Sequence, residues 1–285
     1  MLQGRCCLIT GAGGGMGRAA VIACARAGAS VFAADLNSAA AAETAEMAKA
    51  HTGSASEVVV SSCAVDVADE ESVGNMISLC VESLGRIDCA LNAAGIEGGR
   101  CELHEMTMAN FDKVMSVNTK GVFLCMRAQI SQMLNQAPPA ERSVSDSSDE
   151  RASKIARVSD DALVIDRLNY SIVNLASTAA QAAMAEFAAY SASKHAIIGL
   201  TRTAAKEYAG RGIRVNALCP STTDTPMVQR FASQWPEWQA KQNASFPVGR
   251  IGRAEEVADT VVFLFSAACP MMSGTALTID GALTS

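Results

Sequence analysis

The sequence is short of several things, and each shortage removes a class of function. Its 285 residues hold 23 basic against 29 acidic side chains, a net charge of −6 with the three histidines neutral. No cluster of Lys and Arg is gathered anywhere, and phosphate-backbone binding rests on such clusters, so nucleic acid is not an expected partner. Long apolar runs are also missing. The longest, 261–269, is interrupted by Ser266, whereas a bilayer-spanning helix needs ~20 apolar residues. No membrane partner is expected, and the first apolar run leads into a glycine-rich turn rather than a cleavage site. There are ten cysteines but no C-x-x-C, and His51, His104 and His195 fall near no cysteine pair at metal-ligand spacing. No metal site follows. Cys6 and Cys7 are adjacent in an apolar run, and others stand singly among small or apolar neighbours. They read as buried reduced thiols in a cytoplasmic protein.

What is present is an alternation of buried strands and Ala-rich helices in a chain that is 49% apolar. Strands are expected at 6–10, 30–34, 57–64, 87–92, 171–176, 213–218 and 276–279. Helices are expected at 17–27, 39–50, 70–84, 108–134, 188–208 and 254–265. The strands are continuously apolar rather than alternating, as in a parallel sheet covered on both faces. The expectation is one doubly wound α/β domain spanning 1–285. One segment breaks the rhythm. Residues 135–168 begin near Pro138-Pro139 and carry seven acids, five bases and six serines. Ser147 and Glu150 have capping-box spacing ahead of a weak apolar stripe at Ile155, Val158 and Ala162. The pattern resumes at Ser171, so this reads as a polar surface insertion.

Thr10-Gly11-Ala12-Gly13-Gly14-Gly15-Met16-Gly17 follows the first strand and opens a helix. Glycine lets the chain turn with positive φ and approach a pyrophosphate closely, and the helix N-terminus offers unpaired N–H groups. It is not a Walker loop, because Arg18 follows Gly17. The second strand ends in Ala33-Ala34-Asp35, where an acid can bind both ribose hydroxyls of an adenosine and would repel a 2′-phosphate. Gly14 supplies no cation to offset it, so NAD is favoured over NADP. Asp35 has an alternative reading as a cap or turn residue.

Further on, Tyr190 and Lys194 are i, i+4 neighbours on one helix face. An ammonium beside a phenol favours the phenolate, making Tyr190 usable as a general acid or base. Ser177 ends the strand before it, at the edge where a parallel sheet opens its ligand crevice. Asn118 stands in a helix, with kink or cap roles as alternatives. His195 points about 100° away from Lys194 and reads as structural. Tyr170 and Tyr208 have no comparable partners.

The glycine turn, Asn92-Ala93-Ala94-Gly95, the Asn118 segment, Ser177, Tyr190-Ser191-Ala192-Ser193-Lys194 and Arg214–Pro220 occur in one order. In that order and spacing the sequence resembles the short-chain dehydrogenase/reductase family over nearly its whole length. The resemblance implies a Rossmann-like fold and a catalytic set of Asn118, Ser177, Tyr190 and Lys194. Tyr190 would exchange a proton with the substrate oxygen and Ser177 would hydrogen-bond it. Lys194 would hold the nicotinamide ribose and tune Tyr190, and Asn118 would anchor a relay water. Gly11, Gly15, Met16 and Gly17 carry over to the diphosphate turn, and Asp35 and Leu36 to the adenosine. Asp66 and Val67 carry over to the adenine, with Asn92, Ala93 and Gly95 beside the cofactor and Pro220, Thr223 and Thr225 near the nicotinamide. The sequence departs from the family's pattern at Ser221, where glycine is usual, and at Thr223, where an aliphatic residue is common. Ser221 enters positive φ less cheaply than glycine.

The segment after Thr225 closes the substrate site in family members. Here, 227–248 contains Phe231, Trp235, Trp238 and Phe246. Either these aromatics face an apolar, ring-shaped secondary alcohol or ketone, or they pack the lid or a subunit contact. The resemblance implies a homotetramer, with 108–134 and 188–208 as contact helices. Two competing functions are a 3-oxoacyl thioester reductase and a dinucleotide-sensing protein without chemistry. The intact set of four catalytic residues counts against the sensor.

Overall fold

The computed structural model describes residues 1–52, 58–136, 170–234 and 236–285. Most of the expected insertion, with its Ser147 and Glu150 signal, lies outside these residues, as do the side chains of Phe231, Trp235 and Trp238.

Strand β1 (Cys6–Thr10) is followed by α1 (Gly15–Arg26), β2 (Ser30–Asp35), α2 (Ser38–Lys49), β3 (Val60–Ala64), α3 (Glu70–Leu84) and β4 (Cys89–Asn92). Helices α4 (Met108–Met115) and α5 (Gly121–Asn135) come next, joined by a π turn, Ser116–Lys120. Then follow β5 (Tyr170–Leu175), α6 (Ala188–Tyr208), β6 (Ile213–Pro220) and the short β7 (Thr223–Asp224). Helices α7 (Pro226–Gln234) and α8 (Pro236–Ser245) precede β8 (Gly252–Arg253), α9 (Ala254–Phe265) and β9 (Ala276–Ile279).

Seven strands form one parallel sheet in the order β3-β2-β1-β4-β5-β6-β9. Successive side chains of a strand point to opposite faces, which divides the core in two. Leu8, Phe32, Ile172 and Val215 pack beneath Met76, Ile130 and Ile197 of α3, α5 and α6. Cys7, Ile9, Val31, Val173 and Leu218 pack on the other face with Val21, Ala45, Val261 and Phe265 of α1, α2 and α9. All five residues of β1 are buried, as double coverage requires. The doubly wound, Rossmann-like architecture read from the sequence is therefore the observed one.

The helix ends have local causes. Asp69 caps α3 by accepting from Glu71 N and Ser72 N, and Gly85 ends it at φ 80°. Asn37 caps α2 through Ala40 N, and Glu256 accepts from Arg253 N at 2.8 Å at the start of α9. Two departures from expectation matter for the site. The helix expected over 108–134 is interrupted at Asn118 by the π turn, and the segment after Thr225 forms two helices. Both of these begin with proline at the first helical position, where its missing N–H costs nothing.

The chain runs outward in one direction from β1 to β3 and in the other from β4 to β9. Strand order thus reverses between β1 and β4, and a crevice opens at the C-terminal strand ends.

Candidate active site

The nucleotide side of the crevice is made of backbone. Gly11, at φ +69°, lies so close to the loop after β4 that a Cβ would sit 2.6 Å from Ala94 N. A Cβ on Gly17 would sit 2.0 Å from the Gly11 carbonyl oxygen. Only glycine permits this turn to fold back on its own helix. Helix α1 has no side-chain cap and no acid in its first turn. Its leading N–H groups are therefore left for an external anion, which the helix dipole also favours. The turn and helix start fit the diphosphate of a dinucleotide.

At the end of β2, Asp35 accepts from Gly13 N at 2.8 Å and from Asn37 N at 2.9 Å. The carboxylate is thus a turn-fixing group, as the alternative reading held, while staying partly exposed beside the glycine turn. Arg18 is the basic residue nearest the turn. Its guanidinium donates to Gly13 O at 2.8 Å and pairs with Glu43 at 2.6 Å, so its charge is already matched. Leu36 stands 75% exposed beside Asp35. Asp66 is exposed with its carboxylate on Ala68 N, and Val67 is buried against Gly121. Asn92 ends β4 at the crevice, with its side chain turned inward. Its amide exchanges hydrogen bonds with Gln129 and donates to Asn174, which in turn donates to Thr201. The Asn92 side chain serves a buried polar network, and Ala93 and Gly95 line the crevice instead.

The catalytic side is made of side chains. Ser177 follows β5, accepts from Ala179 N at 3.1 Å, and lines the same cavity as Tyr190, whose pKa its hydroxyl lowers. Tyr190 and Lys194 share one face of α6, with the ammonium 5.5 Å from the phenol ring centre. Lys194 is buried and donates to Leu175 O at 2.7 Å. Burial lowers its pKa to about 8, a shift partly opposed by Cys219. The expected net lowering of the phenol pKa is not seen. Burial is the largest influence on Tyr190 and raises its pKa, the Ser177 hydroxyl lowers it, and the charge of Glu97 raises it further. The ammonium is held on a carbonyl rather than on the phenol oxygen, so desolvation prevails.

Asn118 is fully buried in the π turn. Its Oδ1 accepts from Ile96 N, and its Nδ2 donates to Ile96 O, both at 2.8 Å, and to Ser193 Oγ at 3.0 Å. Ser193 donates to Tyr190 O at 2.7 Å. Asn118 therefore clamps the loop after β4 to α6. Gly95 lies beside it, where a Cβ would meet Asn118 Oδ1 at 3.3 Å and Lys194 Nζ at 3.7 Å. His195 is exposed and bonds the Ser191 carbonyl within its own helix.

Both sides open on one cavity of about 220 Å³. Its walls include Met16, Ala93, Gly95, Ser177, Tyr190, Lys194, Pro220, Thr223 and Thr225. Gly11, Gly15, Gly17, Asp35, Leu36, Asp66, Val67, Asn92 and Asn118 are outside its lining, and Met16 alone represents the glycine turn in it. Thr225 packs on Gly15 and accepts from Val228 N, so α7 starts at the nucleotide turn. Ser221 needs no left-handed backbone: among the described residues only Glu186 and Ala282 are non-glycines with positive φ. Glu186 precedes the cavity residue Phe187. Its carbonyl accepts from Cys101 N at 3.1 Å, and its carboxylate pairs with Arg100, fixing a strained backbone on one wall. Sequence reasoning missed Glu97, Met184 and Phe187. A usable signal for Glu97 was its place just past a strand end at the switch point.

All ten cysteines are free thiols. Burial pushes Cys6 and Cys63 up to about 11, so they behave as inert small hydrophobes. Among the described residues no group of His, Cys, Asp and Glu could hold a metal, and no helix is long and apolar enough to cross a membrane.

Comparison with known proteins adds to this geometry. A family model described as short chain dehydrogenase matches residues 5–140, and one described as Enoyl-(Acyl carrier protein) reductase matches residues 149–284. A short-chain dehydrogenase of Pyricularia oryzae is 38% identical, over 95% of this chain and 93% of its own. The 2,5-dichloro-2,5-cyclohexadiene-1,4-diol dehydrogenase of Sphingobium indicum is 33% identical, over 99% of this chain and 98% of its own. Among solved structures, levodione reductase is similar at a TM-score of 0.80 and 31% identity, covering 99% of this chain and 98% of that one.

Proposed function

The chain belongs to the short-chain dehydrogenase/reductase family of alcohol and ketone oxidoreductases, which use a nicotinamide dinucleotide, and we propose that it is an NAD-linked secondary-alcohol dehydrogenase. The observation that carries this reading is the convergence of Ser177, Tyr190 and Lys194 on a cavity that extends to Met16, at the start of α1 within the glycine turn. When bound, the nicotinamide supplies the hydride donor or acceptor. Ser177 orients the substrate oxygen, and Tyr190 gives it a proton in reduction or takes one in oxidation. Burial raises the Tyr190 pKa, which favours the phenol form that donates in the reductive direction. Lys194 would reach the nicotinamide ribose, and Asn118 would hold the loop and α6 in mutual register.

What supports NAD is the Asp35 carboxylate beside the glycine turn, which would repel a 2′-phosphate, and the pairing of Arg18, the nearest cation, with Glu43. A cyclohexadienediol dehydrogenase and a levodione reductase among the similar proteins support a compact, apolar or cyclic alcohol or ketone as substrate. The thioester-reductase reading draws on the second family model, but among the described residues the cavity wall offers no unengaged cation for a phosphorylated carrier arm. Exposed Met108, Phe123 and Leu134 on α4 and α5 support a homotetramer through these helices. The ten free thiols support a reducing, cytoplasmic setting.

The test is reduced-nicotinamide absorbance with a panel of cyclic and acyclic secondary alcohols, run with NAD and with NADP. The expected result is turnover that is faster with NAD. NAD binding without turnover on any alcohol would return the sensor reading.

A further inference from the structure

Glu97 lies outside the catalytic set, two residues beyond Gly95, and lines the same cavity as Ser177, Tyr190 and Phe187. The backbone that carries it is fixed, because Asn118 grips both the N–H and the carbonyl of Ile96. Among the described residues it is the only acidic side chain in the cavity wall, and Lys194, the only basic one, is committed to Leu175 O. Glu97 and Tyr190 line one cavity, and the charge of Glu97 raises the phenol pKa across it. Arg230 of α7 offsets part of that charge from the lid.

A half-buried carboxylate beside a reaction centre discriminates by sign and by hydrogen bonding. Burial already disfavours its charged form and raises its pKa. A ligand hydroxyl that donates to it restores lost hydration, whereas a ligand anion meets a like charge in a poorly screened site. The rest of the wall is mainly apolar, with Met184, Phe187, Met227 and Val228 around the opening. We infer that Glu97 is a specificity-determining residue that selects secondary alcohols bearing a second hydroxyl near the reacting carbon, and rejects those bearing an anionic group there. This inference rests on the alcohol-dehydrogenase reading, and it narrows the substrate to compact diols and hydroxyketones.

The experiment compares cyclohexanol, cyclohexane-1,2-diol and 2-hydroxycyclohexanecarboxylate as substrates of the wild type and of Glu97→Gln, which keeps size and loses charge. In the wild type kcat/KM is highest for the diol and lowest for the carboxylate. In the variant the diol-to-cyclohexanol ratio falls about tenfold, and the carboxylate-to-cyclohexanol ratio rises by a similar factor. Equal changes for all three compounds, or unchanged ratios, would overturn the inference. If the wild type oxidises none of them, the alcohol-dehydrogenase reading fails by itself. Calorimetric binding of the same compounds to NADH-loaded protein then decides for Glu97: inverted Kd ratios in Glu97→Gln uphold the inference, and parallel shifts overturn it.

Discussion

Along the C-terminal strand ends, the nucleotide side between β1 and β2 and the catalytic side between β5 and β6 are built from opposite materials. On the nucleotide side the working parts are backbone N–H groups, and what matters is the side chains that are missing. Gly17 packs on the Gly11 carbonyl, and that contact leaves no room for even one methyl group. On the catalytic side the working parts are hydroxyls and an ammonium, and what matters is how buried bonds hold them. Asn118, Ser193 and the Leu175 carbonyl fix Tyr190 and Lys194 from behind. The first region should therefore fail sterically and the second chemically, and substitutions can separate the two.

The largest effect is expected from Gly17→Ala. Its Cβ would overlap Gly11 O, forcing the turn open and costing up to about 3 kcal/mol of stability. NAD affinity measured by calorimetry should fall below detection, while an unchanged affinity would show that the close approach is dispensable. Asp35→Ala is next: the NAD-to-NADP ratio of kcat/KM should fall about tenfold through loss of a charged acceptor and a repelling charge. An unchanged ratio would remove Asp35 from cofactor choice.

Smaller effects sharpen the catalytic side. Glu186→Gly relieves a positive φ worth about 1–2 kcal/mol and loses a largely exposed pair with Arg100 worth less than about 1 kcal/mol. The melting temperature should barely move, while KM should rise severalfold as the wall carrying Met184 and Phe187 loosens. An unchanged KM would make the Arg100–Glu186 strap irrelevant to substrate.

A pH dependence tests the catalytic side without touching its geometry. Lys194 is depressed to about 8 in the folded chain, so above that pH the unfolded chain binds more protons than the native one. Its contribution to stability should then rise with pH, from about 8 toward the ordinary lysine value. Wild type measured against Lys194→Met by urea midpoint should show this rise. A difference that stays flat over the window would mean the ammonium is not desolvated.

The fold was legible in the sequence because its strands are continuously apolar and its helices carry local punctuation. Asp69 and Gly85 bound α3 at the expected residues, 70–84. The strand expected at 57–64 is shorter, beginning at Val60, since apolar composition alone does not say where pairing starts. The π turn at Asn118 left no pattern, because one extra residue per turn hardly alters the spacing of apolar positions. The direction of a polar strand-end residue was also hidden. Asn92 looks like a ligand group beside Gly95, but Gln129 and Asn174, distant in sequence, draw it into the core. Lys194 shows the same limit in energetics. Its spacing from Tyr190 was readable, but its preference for the Leu175 carbonyl, and the dominance of burial over charge, depend on packing.

The most direct test of the division between a binding side and a reacting side is a paired measurement on Tyr190→Phe. NAD affinity by calorimetry and NADH formation from a secondary alcohol by absorbance are recorded on the same preparations of variant and wild type. The account predicts NAD affinity within about twofold of wild type and turnover reduced by about 10²–10⁴-fold. Turnover that survives the loss of the phenol hydroxyl, or NAD affinity that collapses with it, would contradict the account.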